Sequence, residues 1–200
     1  MADIFNNSIK AVIGLGNPGQ QYEDTRHNIG FKIVDSFLST LKGEIKIYDK
    51  YSGLYCYKNI GGGKVHFLKP MTYMNLSGNA VKQLAKSETL KPEEIIVVQD
   101  DMDFELGTVR LKRAGGSAGH NGIDSIIESL QSCDFIRLRV GIGRVQNDAM
   151  REHVLEKFKE DELDILKEVI KLSIEAIRLT LAQDIHTAMN VINAKKIKTT

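Results

Sequence analysis

Two hundred residues, 42% hydrophobic and 26% charged, suit one soluble domain with its own core and exclude disordered and fibrous classes. Lys and Arg total 27 against 26 Asp and Glu; the resulting charge of +1 excludes a polycation that coats nucleic acid indiscriminately. No apolar run reaches the roughly 18 residues of a membrane span, and Cys56 and Cys133 show neither a disulfide framework nor zinc-ligand spacing. The opening MADIFNNSIK lacks a secretory apolar region, which with two lone thiols makes the cytoplasm the expected location.

Ala11-Val12-Ile13 reads as a short strand running into a glycine-rich loop. Ile29, Ile33, Val34, Phe37, Leu38 and Leu41 recur at helical spacing. Tyr51 to Tyr57 and Lys64 to Leu68 alternate as strands around Gly61-Gly62-Gly63, predicting a hairpin. Ala80 to Lys86 is helical, with Asn75 or Ser77 as its expected cap. Ile95 to Val98, ending in Asp100-Asp101, suits a strand buried on both faces. Thr108 to Arg113 is charged at alternate positions, as an edge strand would be. Gly122 to Leu130 is helical and Phe135 to Ile142 is a strand. Leu163, Leu166, Ile170, Ile174, Ile177 and Leu181 mark an amphipathic helix of about five turns, and Met189 to Ile192 a final short one. Residues 1–194 therefore read as one α/β domain, a mixed twisted sheet flanked by helices, followed by a basic polar tail over 195–200 that is expected to fray.

Two glycine loops invite specific chemistry. Gly14-Leu15-Gly16-Asn17-Pro18-Gly19 matches GxGxxG after a strand, the mark of a nucleotide-binding module. A dinucleotide site needs a helix to begin at those glycines, yet the helical pattern waits until about Asn28. Gly115-Gly116-Ser117-Ala118-Gly119 matches GxSxG, which would make Ser117 the nucleophile of a serine esterase. The preceding strand, with Arg110, Lys112 and Arg113, is too charged to be the buried strand that an elbow requires, so a glycine-rich hinge is the plainer reading.

Asn17, Asn75 and Asn121 all fall in loops beyond strands, where α/β sheets gather ligand-contacting groups. A neutral amide holds a peptide group or a water without adding charge. Among the five histidines, His66 reads as a surface strand residue and His153 and His186 as helical, while His120 and His27 are loop residues. His27 becomes a general base if a carboxylate orients its other nitrogen, and Asp100, at the end of the most apolar strand, is the natural partner. No HxxxH or HExxH spacing occurs, so neither a metal nor any other cofactor is expected.

GLGNPG, Tyr22, TRHNIGF, KPMTYMNLSG, VVQDDMD, GGSAGHNG and RLRVGIGR occur in the order found in bacterial-type peptidyl-tRNA hydrolases, and from about Val12 to Phe158 the chain closely resembles that family. It departs at Val145, where a proline is frequent, and at His153 and Glu156, where an aromatic and a small residue are usual. The resemblance implies hydrolysis of the ester between a peptide and the 3′-terminal ribose of tRNA, recycling tRNA from prematurely released peptidyl-tRNA. His27 then corresponds to the catalytic base, Asp100 to its supporting carboxylate, and Asn17 to the residue that separates blocked from free aminoacyl-tRNA. Asn75 and Asn121 match polar substrate and water contacts, Tyr22 and Tyr73 contacts to the tRNA–peptide moiety, and Met74 the lining of the peptide groove. Lys112 and Arg139 match basic residues that clamp phosphate, within a stretch from Arg110 to Arg144 holding six cations against three acids. A monomer is expected, with peptidyl-tRNA as its partner and no membrane.

Overall fold

The computed structural model describes residues 8–144 and 150–197, with Met150 described by its backbone alone. Seven strands form one mixed sheet: β1 (Ala11–Gly14), β2 (Tyr48–Lys50), β3 (Gly53–Ile60), β4 (Gly63–Pro70), β5 (Ile95–Asp101), β6 (Val109–Arg113) and β7 (Ile136–Gly141), in the order β2-β3-β4-β1-β5-β7-β6. β4, β1, β5 and β7 are parallel, so their carboxyl ends share one edge of the sheet. The predicted hairpin pairs β3 with β4, and β6 closes the far edge antiparallel to β7. All seven residues of β5 are buried, as its apolar run required.

Strand alternation divides the interior into two cores. On one face Val12, Ile96, Val98, Leu138 and Val140 meet Ile33 and Phe37 of α1 (Ile29–Ser39). The same face packs against Val169, Ala176 and Ile177 of α5 (Leu163–Ala182) and Ala188 and Ile192 of α6 (Ile185–Ala194). On the other, Ala11, Ile13, Leu68 and Val97 meet Val81 and Leu84 of α2 (Ser77–Glu88) and Ile123 and Ile126 of α3 (Asn121–Leu130). A short helix, α4 (Met150–Leu155), lies beyond β7. Among the described residues no helix is long and apolar enough to cross a membrane.

Several local expectations change. β2 is an edge strand of three exposed residues, and such a strand has no apolar face to announce it. Neither Asn75 nor Ser77 caps α2: the helix enters through a 3₁₀ turn at Met74–Leu76, with no side chain bonded to its first amides. The final helix starts earlier than its apolar residues suggest because Asp184 accepts bonds from the His186 and Thr187 amides. His66 is buried, its Nδ1 2.9 Å from the Tyr55 hydroxyl. In the tail, Lys195 is tied to Glu175 at 2.6 Å, while residues 198–200 and Val145 lie outside the described residues.

The GxGxxG loop serves packing. A Cβ on Gly14 would stand 2.5 Å from the Gly30 carbonyl, and one on Gly16 2.8 Å from the Phe31 ring. These glycines let α1 press against β1, and the chain after them makes two 3₁₀ turns (Gln20–Tyr22 and Arg26–Asn28) before α1 begins at Ile29. The first turn of α1 packs directly on the glycines, with the Phe31 amide donating to the Leu15 carbonyl at 3.2 Å, so protein fills the place where a pyrophosphate would sit.

Candidate active site

β5 ends where two imidazoles converge. His27, in the 3₁₀ turn before α1, places Nδ1 2.8 Å from Asp100 Oδ1, and His120 places Nε2 2.9 Å from the same oxygen. His120 is the N-cap of α3: its Nδ1 accepts from the amides of Gly122 at 3.1 Å and Ile123 at 3.3 Å. An acceptor nitrogen carries no proton, so His120 holds its proton on Nε2 and donates it to Asp100. His27 donates from Nδ1 in turn, which leaves its Nε2 lone pair available as a base.

The electrostatics follow from that arrangement. Burial opposes charge on Asp100, but the neighbouring His27 and His120, through charge and hydrogen bonds, hold its carboxyl well below the usual carboxylate range. For His27, burial pulls the pKa down, while the charge and hydrogen bond of Asp100 more than offset this and leave it raised above the ordinary histidine value. These three side chains stand close enough to suggest a metal site. Their tautomers argue against one, because a metal on His120 Nε2 would force the ring's proton onto Nδ1, where two backbone N–H groups already point.

The pair opens into a cleft of about 780 Å³ lined by His27, Asp100, Asp101, Ser117, Asn121 and Arg151, among others. Asn17 Oδ1 accepts from the Met74 amide at 2.8 Å, which fixes the orientation of the carboxamide and leaves Nδ2 as its donor. Met74 in turn packs against Gly122, where a Cβ would lie 2.5 Å from the Met74 sulfur. Asn28 fastens the Asn17 backbone from both sides, accepting from its N–H at 2.8 Å and donating to its carbonyl at 2.9 Å. Asn75 and Tyr73 are exposed beside Met74, and Tyr22 is half-buried in the turn before His27.

Arg26, next to His27, is almost wholly buried. It bonds the Ile142 carbonyl at 2.9 Å and Glu162 through both guanidinium nitrogens at 3.1 and 2.6 Å, under the ring of Phe158. Lys112 and Arg139 occupy diagonal positions on one face of the β6–β7 ladder. Lys112 is exposed, whereas Arg139 is engaged, with Nε 2.5 Å from Asp101 and its guanidinium over Phe104. Ser117 lines the cleft without a base: its hydroxyl accepts from the Gly119 amide at 3.2 Å, and neither histidine contacts it. The nucleophile elbow is therefore absent.

Residue spacing missed the bond of His120 to Asp100 and the part played by Asn28. The signal for His120 was its place before a helix, an N-cap position; its reach to Asp100 is a tertiary fact. Comparing Ser117→Ala with Asn121→Ala in one assay separates wall from contact. Ser117→Ala is expected to keep most activity, losing at worst one loop hydrogen bond of about 0.5–1.5 kcal/mol, while Asn121→Ala lowers kcat/KM clearly. Trapping of a peptidyl-serine in the wild type would reverse that order.

Known proteins resemble this chain over nearly its whole length. The profile of the family described as peptidyl-tRNA hydrolase matches residues 11–200. The peptidyl-tRNA hydrolase of Persephonella marina is 47% identical over 94% of this chain and 98% of its own. That of Clostridium beijerinckii is 44% identical over the same shares. The crystal structure of the Acinetobacter baumannii peptidyl-tRNA hydrolase, 37% identical, superposes with a TM-score of 0.88 and covers 95% of this chain and 97% of that one. With likeness of this depth across the whole sheet and its carboxyl edge, the chain belongs to the peptidyl-tRNA hydrolase family.

Proposed function

We propose that the enzyme hydrolyses its peptidyl-tRNA ester by water attack, with His27 as general base and Asp100 as the carboxylate that orients it. The observation that carries this reading is the shared hydrogen bonding of His27 and His120 to one buried oxygen of Asp100. It sets the tautomer of His27 so that Nε2 can take a proton from water, and Asp100 stabilises the imidazolium that results. An ester asks no more than an activated water and support for the developing oxyanion. The free enzyme acts as a monomer in the cytoplasm. Exposed Lys112, with Arg139 drawn partly from Asp101, meets tRNA phosphate, and Tyr22, Tyr73 and Asn75 meet the tRNA–peptide junction.

Asn17 supports selectivity for blocked substrate. Its Nδ2 is a donor suited to a peptide carbonyl, and a free aminoacyl-tRNA lacks that carbonyl and brings an ammonium instead. Asn17→Asp keeps an acceptor for the Met74 amide but turns the donor toward substrate into a second acceptor. It is expected to relax the preference for N-blocked over free aminoacyl-tRNA by about 5- to 100-fold, the scale of one buried polar group gained or lost. Release of tRNA from both substrates, with chelator present, measures the ratio. An unchanged ratio would remove Asn17 from recognition.

A further inference from the structure

The loop 114–120 returns from the end of β6 across the sheet to deliver His120 to Asp100 and Asn121 to the cleft. Its backbone is unusual. Ala114 and Ala118 have φ of 58° and 54°, and Gly115 and Gly119 have φ of 103° and 79°. Left-handed alanines cost of order 1 kcal/mol each and persist only where the surroundings over-determine them.

Arg137 supplies that constraint. In sequence it is one more cation of the β6–β7 stretch; in the structure it is 2% exposed, its charge turned away from solvent and under the loop. One terminal nitrogen donates to the Ala114 carbonyl at 2.6 Å and the other to Gly116 at 2.7 Å, while Nε has no partner among the described residues. A Cβ on Gly115 would stand 3.0 Å from the guanidinium and 3.2 Å from Lys112 Nζ, so the loop lies directly on these side chains. Burying a guanidinium with its Nε–H unmet is a costly way to fill space, and two short bonds into a strained loop give it a specific task.

We propose that Arg137 is a positioning residue, holding residues 114–119 in the left-handed path that sets His120 against Asp100 and Asn121 in the cleft. It touches no reacting atom and acts through the loop. The proposal rests on the assignment of His27 and Asp100 as the reacting pair.

Arg137→Lys replaces a fork by a single ammonium that cannot span both carbonyls in the same geometry. Arg137→Gln, being neutral, leaves no unpaired buried charge and guards against a variant that merely unfolds. Both are expected to lower kcat by about 10- to 100-fold, the scale of an ångström of misplacement, with KM changed much less. Amide hydrogen exchange at 115–120 should quicken, and the ¹⁵N shifts of His120 should move from a fixed Nε2–H form toward an average of tautomers. Adding Ala114→Gly, which relieves the left-handed strain, should restore part of kcat in the Arg137→Lys background.

Folded Arg137→Lys and Arg137→Gln proteins with wild-type kcat, or with an unaltered His120 spectrum and loop exchange, would overturn the proposal. The exchange and ¹⁵N readouts do not depend on which groups react. A His27→Ala protein that stayed active would therefore sink the assigned pair while leaving the clamp to be judged by them.

Discussion

Replacing His27 with alanine is expected to reduce turnover by about 10²–10⁴-fold, the contribution of a positioned general base, with melting temperature and circular dichroism close to those of the parent. His27 lines the cleft, and among the described residues its ring is hydrogen-bonded to Asp100 alone, so truncation removes the base without uncapping a helix. The pH dependence carries a sign. Only the neutral imidazole accepts a proton, and the pKa of His27 is raised because the charge and hydrogen bond of Asp100 outweigh the lowering by burial. The ascending limb of kcat/KM against pH should thus lie above the ordinary histidine value, with activity lost as pH falls through it. A flat profile, or near-parental turnover in the alanine variant, would dispose of the mechanism.

Asp100→Asn tests the other half, and its effects should move two observables in defined directions. The amide oxygen can still accept from both imidazoles, so the site need not collapse, but the charge that stabilises the imidazolium is gone. Turnover should fall by about 10²-fold or more, as when the carboxylate of a base–carboxylate pair is neutralised. The same loss removes what raises the pKa of His27, so the ascending limb should shift to lower pH while its plateau drops. A slower variant whose limb stayed in place would mean that Asp100 orients the ring without tuning it.

Much of this architecture was written in hydrophobic spacing. The unbroken apolar run Ile95 to Val98 announced a doubly buried strand, and the alternating direction of side chains along it explains why neighbouring carboxylates part ways: Asp100 meets His27 and Asp101 meets Arg139. Of the loop residues singled out at the carboxyl edge, Asn121 lines the cleft, and Asn17 is bonded to the Met74 amide. Other contacts were invisible because they depend on how distant backbone segments meet. Asn28 acts on the peptide groups of Asn17, eleven residues away, and Arg137 on the carbonyls of Ala114 and Gly116. Neither partner has a side-chain signature that spacing could reveal. Arg139 shows the limit of counting charges: its cation was plain in the sequence, its engagement by Asp101 was not.

The tie between Arg26 and Glu162 has a bearing on biosynthesis. A ribosome delivers this chain from its N-terminus, so the turn holding His27 emerges 136 residues before the carboxylate that pairs with Arg26. Until Glu162 and the Ile142 carbonyl are in place, burying the Arg26 guanidinium leaves a charge without a partner, which costs several kcal/mol. The turn beside His27 therefore gains its buried ion pair only after residues through Glu162 have been made. A peptidyl-tRNA hydrolase thus completes the surroundings of this turn only late in its own translation.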